Sequence, residues 1–147
     1  MPSITVRNYN PESGVLLGNV SILDYGKITL GSHSRVQVLD VAFESVTVVS
    51  NIKIGIIASG GITVISSGNV GHFGVTDSAD FNATLASEPI TSHFLGTNTT
   101  GTASDANNVS IGSRSSTLSN YIYLDIELGS TNLAAGNGAY KIFFDYS

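Results

Sequence analysis

Tyr121-Ile122-Tyr123-Leu124-Asp125-Ile126-Glu127-Leu128 is the stretch whose reading decides the fold. Ile122, Leu124, Ile126 and Leu128 fall on one side of an extended strand, and Tyr121, Tyr123, Asp125 and Glu127 on the other. Strand side chains alternate with period two, so one dry face and one wet face are expected. A helix would scatter the same aliphatics around its circumference. Ala139–Tyr146 repeats the design with Tyr140, Ile142, Phe144 and Tyr146 on one side. The Gly- and Asn-rich connector 129–138 suits a chain reversal, so 121–146 reads as a C-terminal hairpin.

Further strands are expected near 3–9, 15–25, 35–49, 51–58 and 61–66, with Ser59-Gly60-Gly61 reversing a second hairpin over 51–65. Along 35–43 the alternation slips, because Val36 and Val38 share one face while Val41 and Phe43 share the other. A bulge near Leu39-Asp40 would turn all four inward; without one, a pair stays exposed. No stretch suggests a helix beyond a turn or two. Short strands between Gly, Ser and Asn turns predict an all-β fold: a single antiparallel β-sandwich over 1–147, jelly-roll-like.

Residues 66–119 change character, dense in Ser, Thr, Asn, Asp and Gly. Apolar anchors at Phe73, Phe81, Leu85, Phe94, Val109 and Ile111 argue against wholesale disorder. Short strands are expected near 71–75 and 109–111, with a projecting excursion over 76–108. A long loop inside a small domain commonly carries function. Phe81, Leu85, Phe94, Leu95, Tyr121 and Tyr123 are therefore the candidate interface residues.

The chain has 147 residues, no cysteine, and a net charge of −5 with only 6 Lys and Arg. Disulfides and thiolate metal sites are excluded. Nucleic acid is not an expected partner, since a phosphate-binding surface needs clustered cations. Charged residues make up 12% of the chain, against about 25% in ordinary domains. So uncharged a surface suits a protein largely covered by neighbours. No export signal and no apolar run of about 20 residues is present, so a soluble chain without a membrane partner is expected.

Chemistry-bearing patterns are sparse. His33, His72 and His93 lack the local spacing of metal ligands. Asp77, Asp80, Asp105, Asn107 and Asn108 offer hard oxygens but no ordered calcium loop. Asn82, Asn98 and Asn108 head glycosylation triplets, read as chance matches in a chain so rich in Asn and Thr. Asp125 and Glu127, about 6.6 Å apart along a strand, have the chemistry of a glycosidase pair. A wet strand face answering Lys141 explains them more simply. Tyr121 and Tyr123 beside them would make a sugar platform, or else lie half buried at a subunit contact or under the long loop. No nucleophile elbow and no phosphate-cradling glycine loop occurs. No catalytic residue, metal or cofactor is assigned.

Tyr9-Asn10-Pro11-Glu12-Ser13-Gly14 after the first strand, the Gly60-Gly61 reversal and the ending Phe143-Phe144-Asp145-Tyr146 resemble the small β-rich structural proteins of tailed-phage particles, especially the capsid decoration or cement kind. The Cys-free, charge-poor composition shares that resemblance. It implies a non-enzymatic virion subunit, assembled in the host cytoplasm, that binds a major coat protein or other virion subunits and forms a homo-oligomer, a trimer being favoured. A neck or tail subunit, a fibre tip or a carbohydrate-binding module is the alternative.

Overall fold

The computed structural model describes residues 1–29, 31–59, 70–75, 81–87, 94–95, 98, 100–127 and 137–147. They form nine strands and one short helix: β1 (Ser3–Tyr9), β2 (Leu16–Asn19), β3 (Gln37–Glu44), β4 (Val49–Ser59), β5 (Val70–Val75), α1 (Ala83–Ser87), β6 (Phe94–Leu95), β7 (Val109–Ser110), β8 (Ile122–Glu127) and β9 (Asn137–Tyr146). All strand pairings are antiparallel, in two sheets ordered β2-β1-β3-β8-β5-β6 and β7-β4-β9. The all-β class and the two packed sheets agree with the sequence pattern. These orders do not establish jelly-roll wiring.

The C-terminal hairpin is overturned. β8 lies between β3 and β5 in the larger sheet, and β9 pairs with β4 in the smaller one. The strands on either side of the connector therefore belong to different sheets. The return strand expected over 61–66 lies outside the described residues, and β4 instead has β7 and β9 as neighbours.

The main core fills the space between the sheets. Leu39, Val41, Phe43, Ile122 and Leu124 meet Val49, Ile52, Ile54, Ile56 and Ile111, with Ile142 and Phe144 packed against them. Removing such a side chain from water stabilises by about 1.5–3 kcal/mol, so this layer is the chief source of cohesion. A second core covers the opposite face of the larger sheet: Tyr9, Val36, Val38, Ala86 and Tyr123, bordered by Phe81, Leu85 and Tyr121.

Two cores resolve the slipped alternation of 35–43. No bulge occurs at Leu39-Asp40, because β1 and β3 pair without interruption from Ser3↔Glu44 to Tyr9↔Val38. Val36 and Val38 nevertheless join the second core while Val41 and Phe43 join the first, and all four are buried. The irregularity sits earlier. Continuing the register of Gln37↔Leu124 would set Ser34 opposite Glu127, and His33 stands there instead.

The 66–119 region does not project among its described residues. β5 is an interior strand of the larger sheet, and the Phe81–Ser87 segment lies on the second core. Asn82 caps α1, its Oδ1 accepting from Leu85 N at 2.9 Å, while Asn82 N donates to the Tyr123 hydroxyl at 2.8 Å. The 10–14 turn comes so close that a Cβ on Gly14, at φ +72°, would stand 2.8 Å from the Phe81 ring.

Candidate functional site

Four features of the described residues carry polar or exposed chemistry, and each follows from how the strands are placed. The first is Asp40, at the centre of β3 and fully buried. Antiparallel register sets Arg7 of β1 directly opposite. The guanidinium straddles the carboxylate, Nε to Oδ1 at 2.9 Å and Nη2 to Oδ2 at 2.6 Å. Tyr9 donates its hydroxyl to Oδ2 at 2.7 Å. Arg114 adds a further hydrogen bond from its Nη2, while its guanidinium lies 4.2 Å from the centre of the Tyr121 ring. The hydrogen bond to Asp40 raises the Arg7 pKa, and burial followed by that same carboxylate raises the Tyr9 phenol. A carboxylate so saturated with donors is a clamp joining β1, β3 and the 111–120 segment. Sequence reading passed over it, although a lone Asp inside Val38-Leu39-Asp40-Val41 was a visible signal.

The second feature is His33, which the shifted register brings to the end of β8. Its Nδ1 lies 3.0 Å from Asp125 Oδ2 and its Nε2 3.5 Å from Glu127 Oε2. Ser34 fixes the approach, donating N–H to Ile126 O at 2.7 Å and accepting Ile126 N–H on Oγ at 2.9 Å. The carboxylates thus answer a histidine and not Lys141, which sits in the other sheet with Nζ 3.5 Å from Gly101 O. Asp125 is fully buried, as is Tyr123. The face expected to be wet is buried at its centre, at Tyr123 and Asp125, so Tyr121, Tyr123, Asp125 and Glu127 do not form an exposed sugar platform.

Close by, the hydroxyls of Tyr25 and Tyr140 share a hydrogen bond of 2.7 Å. Burial, with a smaller contribution from Asp125, pushes the Tyr140 phenol up to about 12; burial and then the neighbouring Tyr140 push the Tyr25 phenol well above its usual range. The folded chain therefore holds these phenolic protons more tightly than the unfolded chain, whose tyrosines titrate near 10. Stability from Tyr140 should be intact below about pH 10 and fall toward pH 12 by about 2 kcal/mol, with Tyr25 acting in the same direction. Urea melts across that window check it: Tyr140→Phe should flatten the decline.

The third feature is the outer face of the smaller sheet. The 98–108 segment folds over it, held by its own amides and carboxylate. Asn98 Nδ2 donates to Thr102 O and Asn108 Oδ1 at 3.0 and 2.9 Å, and Asp105 accepts from Thr100 and Asn107. A Cβ on Gly55 would lie 2.2 Å from Asn108 Oδ1, so only glycine lets the segment close there. Between segment and sheet runs a groove of about 530 Å³ lined by residues that include Asn51, Lys53, Ser104, Phe143 and Asp145.

The fourth feature is the β2 edge. Val15, Leu16, Leu17 and Ile22 are 61%, 47%, 59% and 82% exposed, and no charged residue occurs from Ser13 through Leu23. β2 ends the larger sheet, paired on one side by β1.

No protein-family model, curated protein or solved structure matches this chain. The assignment of function therefore rests on the molecule's own features.

Of the expected interface residues, Phe81, Leu85 and Tyr121 are brought together around the second core, with Tyr123 at its centre. Phe94 and Leu95 form β6 at the other end of the larger sheet. His72 lies in β5; His93, Asp77 and Asp80 fall outside the described residues. Asp105, Asn107 and Asn108 support the 98–108 segment, and no group of His, Cys, Asp and Glu suited to a metal occurs among the described residues. No helix among them is long and apolar enough to cross a membrane.

Proposed function

We propose that the chain is a non-catalytic structural subunit that works by repeated association, of the kind that decorates and stabilises the coat of a tailed-phage particle. The exposed, uncharged edge of β2 is the observation that carries this reading. Edge strands are normally protected from pairing by lysine, proline or a covering loop. Among the described residues no strand pairs its outer side, and four exposed aliphatics lie in or beside it.

Copies of a chain with net charge −5 repel one another, and a strip without charge is where they meet at least cost. The β2 edge is accordingly the contact between copies, in an oligomer for which three subunits are favoured. Such an oligomer would seat several identical surfaces on a coat lattice at once, and firm attachment then needs only modest individual contacts.

Sedimentation of the purified chain tests the reading. The unaltered protein should sediment as an oligomer, and Leu17→Lys should sediment as a monomer. Leu17 is already largely exposed, so that change should alter folding stability by no more than about 0.5 kcal/mol. A chain that stays monomeric at high concentration would remove the proposal.

A further inference from the structure

We propose that the groove on the outer face of the smaller sheet is a saccharide-binding site, which takes a neutral pyranose stacked on Phe143. The inference is independent of self-association, because the groove and the β2 edge lie on different sheets.

The groove has a built floor. Lys53 and Phe143 are direct cross-strand partners on β4 and β9, so their side chains leave the same face of the sheet. One extra residue interrupts β4 between Ser50 and Lys53, and Asn51 there adopts φ +52°. That bulge re-aims Asn51 along the sheet, where its Nδ2 donates to Asp145 Oδ2 at 2.7 Å. The 98–108 segment supplies the opposite wall, and Lys53 Nζ reaches its Ala103 carbonyl at 3.3 Å.

The chemistry fits one ligand class. A pyranose presents an apolar face of ring C–H groups and a rim of hydroxyls that both donate and accept. Phe143 offers an aromatic surface for the first. Phe143 lines the groove and is only half-buried, and Lys141, with Nζ 5.2 Å from the centre of the ring, does not line it. For the rim, Lys53 donates, the carboxylate of Asp145 accepts, and Asn51 and Ser104 do either. Neighbouring hydroxyls would bridge the ammonium and the carboxylate. A volume of about 530 Å³ accommodates such a ring with room to spare. A phosphate or other anion is less well served, because Asp145 shares the groove with its lone lining cation.

Saturation-transfer NMR with the methyl glycosides of glucose, galactose, mannose and N-acetylglucosamine tests the inference on the full chain. At least one should bind weakly, with saturation strongest at its ring C–H protons. Phe143→Ala should weaken that binding about tenfold or more. Lys53→Gln, which removes the charge but still offers hydrogen-bond donors on a side chain one bond shorter, should weaken it measurably while leaving the urea midpoint unchanged. No binding of any of the four, or binding that survives both substitutions, would overturn the assignment.

Discussion

Asp40→Ala is expected to remove about 3–5 kcal/mol of folding stability, the range for breaking one side of a buried ion pair. Its carboxylate accepts from Arg7, Arg114 and Tyr9, and it is fully shielded from water. Alanine would leave two guanidinium groups facing each other across an empty site. Those groups are only 24% and 11% exposed, so water rescues them incompletely. A small domain holds only about 5–15 kcal/mol in total, and the variant should be close to unfolding at physiological temperature. The urea midpoint reads the effect. A loss below about 1 kcal/mol would place the pair among ordinary surface salt bridges and contradict the clamp.

Tyr123→Ala should be nearly as damaging, at about 3–5 kcal/mol. Its ring is fully buried in the second core, 6.2 Å from that of Phe81, and its hydroxyl accepts from Asn82 N. The cost arises from a cavity beneath α1 together with a lost hydrogen bond. Tyr123→Phe separates the two contributions, since removing the hydroxyl alone should cost about 1 kcal/mol. Had Tyr123 stood on a water-facing sugar platform, truncation would leave stability almost untouched and change only binding. Thermal or urea melts of the two variants decide between those cases.

The contrast shows where the sequence was readable. Period-two patterning located β1, β4, β8 and β9 well, because alternation is a local property of the chain. Pairing is not local. The glycine-rich connector after β8 has turn chemistry whichever layer receives the next strand, and nothing in it says that β9 belongs beside β4. The wet face of β8 was misjudged for a related reason. Tyr123 looks solvent-facing until a second layer of Tyr9, Val36, Val38 and Ala86 covers it, and Asp125 until His33 meets it; those residues lie far away in the chain.

Site residues were legible only where a charge interrupted an apolar pattern. Lys53 and Lys141 stood out in their strands, and both flank Phe143 on the outer face of the smaller sheet. Asp40 carried the same signal. His33 carried none, since its meeting with Asp125 depends on a one-residue shift of register that no spacing rule reveals. The aliphatics of β2 read only as part of a strand over 15–25, with no sign of which face or edge they occupy. Only its place at the end of the sheet shows that nothing within the described residues covers that edge.

The central claim joins a β8 that is buried on both faces from Ile122 to Asp125 to the proposed contact between copies at the uncharged β2 edge. Amide hydrogen exchange followed over a range of protein concentrations tests both halves at once. Amides of Ile122–Glu127 should exchange slowly at every concentration, and the β2 amides that do not bond β1 should become protected only as concentration rises. Fast exchange along β8, or β2 amides that respond to concentration no more than the rest of the chain, would contradict the account.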